Sequence, residues 1–72
     1  MYEQILKTLS RYKFTITRVE IDSKYEMYDV ERDIDCTIDV DNIKELLKAK
    51  FGSKISFQNT KTNSFNIRVN KL

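Results

Sequence analysis

Seventy-two residues suffice for one domain with one core, and 40% apolar with 33% charged residues is the composition of a folded chain rather than a disordered one. The formal charge is only +2 and histidine is absent, which removes imidazole acid–base chemistry, the usual Ser- or Cys-based triads and most zinc sites. The lone Cys36 allows no intrachain disulfide, and the single glycine, Gly52, allows no glycine-rich phosphate loop.

Tyr2, Ile5, Leu6, Leu9 and Tyr12 recur at helical spacing, so residues 2 to 12 are expected to form an amphipathic helix. Residues 13 to 21 are rich in Phe, Thr, Ile and Val, as a strand is. Their apolar parity changes between Phe14 and Ile16 on one side and Val19 and Ile21 on the other, and a bulge near Thr17 and Arg18 would return all four to one face. Asp22, Ser23 and Lys24 supply a turn.

From Tyr28 to Val40 every even position is apolar except Arg32, while the odd positions run Asp29, Glu31, Asp33, Asp35, Thr37, Asp39 and on to Asp41. Period two predicts a second strand from about Tyr25 to Val40, with one buried face and a ladder of carboxylates on the other. Such a strand exceeds the usual length of about 3–10 residues, and Arg32 interrupts its apolar side, so a bend or break is expected around Glu31 to Asp33. Asp41 is the expected N-cap of a second helix whose stripe is Ile43, Leu46, Leu47 and Phe51, with Gly52 stopping it in a left-handed conformation. A hairpin closes the chain: Ile55 and Phe57, a polar connection at 59 to 63, then Phe65, Ile67 and Val69 alternating with polar residues.

The expected fold class is therefore α+β, in the order α-β-β-α-β-β: an antiparallel sheet of four or five strands with both helices on one face. Ile5 and Leu9 align with Ile43 and Leu47 at an offset of 38, and Tyr12, Ile16 and Val30 with Phe51, Ile55 and Val69 at 39, as an internal αββ repeat would give.

Charge is divided along the chain. Residues 1 to 19 sum to +3, residues 20 to 41 to −7 and residues 42 to 72 to +6. No catalytic constellation, cofactor motif or converging metal cluster accompanies this division: the Asp33/Asp35 and Asp39/Asp41 pairs are held apart on an extended strand, and Cys36 falls on its apolar side. The leading expectation is a non-enzymatic regulator or inhibitor that binds a larger protein carrying a basic site. Its contacts would be Tyr25, Met27, Asp29, Glu31, Asp33, Asp35 and Asp39, in a form that could imitate nucleic-acid phosphates. The alternative is a small nucleic-acid-binding regulator using Lys7, Arg11, Lys44, Lys48, Lys54 and Lys61 on the helices and last hairpin. The proline-free composition, rich in Lys, Ile and Asn, resembles that of small accessory proteins of phages and mobile elements. Neither an export signal nor a membrane span is evident, so the expected setting is cytoplasmic and the expected state a monomer or a weakly self-associating one.

Overall fold

The computed structural model describes residues 1–71. Helix α1 (Tyr2–Arg11) turns its Ile5 and Leu9 inward, and the chain leaves it through Lys13, a residue of positive φ at the helix exit, into strand β1 (Phe14–Ile21). Strand β2 (Tyr25–Arg32) returns antiparallel after the expected turn, in which the carboxylate of Asp22 accepts from the Lys24 amide at 3.2 Å. Helix α2 (Val40–Phe51), a 3-10 turn (Gly52–Lys54), strand β3 (Ile55–Gln58) and strand β4 (Ser64–Asn70) complete the chain. The four strands form one antiparallel sheet in the order β1-β2-β4-β3.

One face of that sheet carries the core. Phe14, Tyr28, Val30, Ile55, Phe65, Ile67 and Val69 meet Ile5 and Leu9 of α1 and Val40, Ile43 and Leu47 of α2. The bulge lies where the parity change requires it: the β1–β2 register shifts between Ile16 and Arg18, so that Ile16 faces Val30 while Val19 faces Tyr28. The two αββ units have matching registers. Ile16 pairs with Val30 in the first, and Ile55 pairs with Val69, their counterparts 39 positions on, in the second. Tyr28 and Ile67, also 39 apart, pair with each other at the centre of the sheet, where a pseudo-twofold axis relating the two halves passes.

The second strand breaks within the expected interval, Glu31 to Asp33, and does not resume beyond it. It ends at Arg32, so Asp33 to Asp39 form a loop, and a fifth strand is absent among the described residues. The break has an identifiable cause. On the apolar side of β2, the Arg32 guanidinium needs acceptors, and the chain folds back to supply them: Nε donates to the Ile38 carbonyl at 2.6 Å and a terminal nitrogen to that of Cys36 at 2.9 Å. The buried Cys36 thiol lies 3.0 Å from the Tyr12 carbonyl and 3.2 Å from that of Ile38, and the Asp33 amide donates to the Lys13 carbonyl at 2.9 Å. These contacts tie the loop to the corner between α1 and β1, and Ile34, expected on the buried side, is left fully exposed.

The N-cap of α2 is Asp39, not Asp41. Its carboxylate accepts from the Asn42 amide at 2.8 Å, which makes Val40 the first helical residue and aligns it with Ile43 and Leu47 on the buried stripe. Leu46, expected on that stripe, is 41% exposed. Gly52 ends the helix at positive φ as expected, but with φ 60° and ψ −135° it lies outside the left-handed helical basin, in a region that side chains strongly disfavour. A Cβ at this position would meet nothing within 4 Å, so the cost of Gly52→Ala is conformational alone. Urea unfolding of that variant is expected to show a loss of about 1–3 kcal/mol.

Candidate functional site

The carboxylates singled out in the sequence do not share one surface. Tyr25, Met27, Asp29 and Glu31 do lie on the uncovered sheet face, as their parity requires. There β2 is an interior strand, and Asp29 faces Arg18 on one side and Asn66 on the other, accepting from the Asn66 side chain at 2.5 Å. Tyr25 is half-buried beneath the Arg68 guanidinium, 4.4 Å from its ring centre. Asp33 leaves the strand and accepts from the Thr15 hydroxyl at 2.7 Å. Asp35 stands in the loop, 4.0 Å from the Lys13 ammonium, and Asp39 is occupied as a helix cap. The ladder expected from Asp29 to Asp41 is thus reduced to two strand rungs, Asp29 and Glu31, with Asp33 held beside them by Thr15, because the loop held by Arg32 carries Asp35 and Asp39 off the strand. No group of three or more acidic or cysteine side chains is placed to hold a metal ion, among the described residues.

The basic residues are brought together more closely. On the outer side of the helix layer a groove runs between α1 and α2, as two adjoining depressions of about 560 and 700 Å³ that share Lys7, Ala49 and Lys50. Arg11 and Tyr12 line one end and Lys54 the other, with Leu46 and Phe51 contributing apolar surface. The helices form it for a local reason. Ile5 and Leu9 anchor α1 to the sheet, which turns Lys7, Thr8 and Arg11 toward α2 at 100° per residue, and the small Ala49 leaves the space between them open.

Four cations therefore border the groove, and no carboxylate lines it. Glu3 and Glu45 belong to the same helices but do not line the groove. Among the described residues, none of these four cations is within ion-pair distance of an acid. The Lys50 ammonium lies 3.4 Å from the Thr8 hydroxyl, which itself donates to the Gln4 carbonyl of α1 at 3.0 Å.

Of the basic residues expected to act together, Lys7, Arg11 and Lys54 share this groove, whereas Lys44, Lys48 and Lys61 do not. Lys44 donates to the Thr60 hydroxyl at 2.9 Å and lies over the Phe57 ring, Lys48 donates to the Ile55 carbonyl at 2.9 Å, and Lys61 sits in the last hairpin, where its amide bonds Ser64. Lys50, another of the basic residues of the helices and last hairpin, joins them, while Thr8 and Ala49 complete the site without having been singled out as members of it. The signal for Lys50 was present in the repeat: Arg11 and Lys50 are 39 apart, beside the equivalent pair Tyr12 and Phe51.

No helix is long and apolar enough to cross a membrane among the described residues. No family model matches the chain, and comparisons with curated proteins and with solved structures find no match either.

Proposed function

We propose that the protein is a small non-enzymatic binding module that holds the phosphate backbone of a nucleic acid in the groove between its helices. The observation that carries this reading is the groove's one-signed lining: Lys7, Arg11, Lys50 and Lys54 from both helices and the 3-10 turn, with no acid among them. Phosphates displace condensed counterions when they meet such a lining, and this release supplies sequence-independent affinity. The half-buried Tyr12 adds an aromatic surface at one end. The acidic residues support a protein-binding role less well, since the loop after Arg32 separates them.

Binding to labelled single-stranded and duplex oligonucleotides, followed by fluorescence anisotropy across a salt series, tests the proposal. With four phosphates neutralised, log K should fall against log salt with a slope of about −2.8 for a single strand or about −3.6 for a duplex. Lys7→Ala and Lys50→Ala should each reduce that slope by about 1, while Lys44→Ala and Lys61→Ala should leave it unchanged. Absence of binding at low salt, or equal effects from the two sets of lysines, would refute the assignment.

A further inference from the structure

The sheet order leaves β1 on one outer edge and β3 on the other, and beyond its bulge β1 runs regularly from Arg18 to Ile21, all four of them exposed. Exposed edges are templates for another strand. By register Val19 and Ile21 belong to the helix-covered face, opposite Tyr28 and Glu26, yet they are 41% and 69% exposed because the helices leave that end of the strand uncovered. Leu6 lies on the flank of α1 away from Thr8, which turns to α2, and Tyr2 packs edge-on against Tyr28, the strand neighbour of Val19. Tyr2, Leu6, Val19 and Ile21 therefore make one exposed apolar flank beside the open edge.

We propose that this edge pairs antiparallel with β1 of a second copy, joining two sheets into one with all the helices on the same face. Two constraints select the register. A twofold axis perpendicular to the sheet preserves its faces, so each residue must oppose one of its own parity. Beyond the bulge the regular part of the strand is Arg18 to Ile21. Centring the axis on Arg18 would set two arginines against each other, and centring it on Glu20 would set two glutamates against each other. Centring it on Val19 sets Val19 against Val19 of the second copy and Arg18 against Glu20 of the second copy on both sides.

Centring the axis on Ile21 would set Glu20 against Asp22, and the Glu20 register, although it brings Arg18 opposite Asp22, keeps two glutamates at the axis. Only the Val19 register opposes unlike charges with no like-charge pair, and cross-strand opposition of that kind is favourable where like charges are not. Within one molecule Arg18 and Glu20 are 3.7 Å apart and well exposed, so their own pairing adds little and they are available to be shared across the axis. Like charges along an edge repel a second copy, whereas opposite charges two positions apart complement one. The inference does not depend on the groove or its ligand.

Sedimentation velocity across a wide concentration range tests it. A monomer–dimer equilibrium is expected, with nothing larger, because a closed pair uses up the edge. Arg18→Glu should weaken the dimer about tenfold by replacing two opposite-charge pairs with two like-charge pairs, and the double variant Arg18→Glu/Glu20→Arg should restore it. Val19→Lys, at a position 41% exposed on the axis itself, should abolish it. A protein that is monomeric throughout, that forms larger species, that ignores both single substitutions, or that is not restored by the charge swap overturns the proposal.

Discussion

Replacing Arg32 by methionine is expected to cost roughly 2–4 kcal/mol, a large share of the total for a domain of this size, on the order of 4–10 kcal/mol. Methionine preserves most of the side chain's apolar volume and removes the donors. The carbonyls of Cys36 and Ile38 then lose charge-assisted bonds in a partly buried site, and Ile38 retains only the weak thiol of Cys36. Arg32→Lys should recover less than half of the loss, since an ammonium cannot present the planar fork that reaches two carbonyls at once. Chemical denaturation gives the magnitude, and hydrogen exchange gives the place: amides of residues 33–39 should lose protection while those of β2 and β4 keep it. Equal stability of the methionine variant and the parent would show that the loop is held by something other than this guanidinium.

The same residue marks the limit of what alternation along the chain could say. Tyr28 to Val40 has the period of a strand, and as far as Arg32 it is one. Beyond that point Cys36 and Ile38 are apolar because they anchor a loop at intervals of two, a pattern that a half-buried strand would share. Period alone cannot separate the two, since the deciding fact is where the acceptors of Arg32 come from. The N-cap expected at Asp41 falls two residues earlier, at Asp39, because Val40 is buried as the first helical residue, a tertiary fact that local sequence does not carry. By contrast the bulge in β1 was legible, because a change of apolar parity inside a strand has few other solutions, and both helices were legible from spacings of three and four. The groove was legible only as residues. Lys7, Arg11 and Lys54 could be named as cations, but which flank of each helix faces the other depends on Ile5, Leu9 and Ala49 together, and this tertiary relation also separates Lys50 from Lys48.

Tyr28→Ala should be the most damaging single substitution in the molecule, with a loss of about 3–5 kcal/mol. Its ring is fully buried beside the pseudo-twofold axis, paired with Ile67 across the sheet and touched edge-on by Tyr2 at 5.3 Å between ring centres. Its hydroxyl donates to the Glu26 carboxylate, which also lies 3.8 Å from the Lys71 ammonium. Tyr28→Phe keeps the ring and removes the hydroxyl, so it should cost about 1–2 kcal/mol and leave Glu26 with Lys71 alone. The two variants thus separate packing from polar contact at one position. They also differ in their response to pH. Burial, and then the hydrogen bond and negative charge of Glu26, hold the Tyr28 hydroxyl protonated well above the ordinary tyrosine range. The folded chain therefore binds this proton more tightly than the unfolded chain does. The resulting stabilisation is complete below a pH of about 10 and declines above it, where the unfolded tyrosine ionises first, by up to about 1.4 kcal/mol per pH unit. Phenylalanine has no such proton. The stability gap between parent and Tyr28→Phe, constant from neutrality to about pH 9, should accordingly narrow by about 1 kcal/mol near pH 11. Urea titrations of both proteins at these pH values measure it, and the lysines that also titrate there are common to the two and cancel. A gap that stayed constant to pH 11 would mean that the hydroxyl is not held in the buried site shared with Glu26.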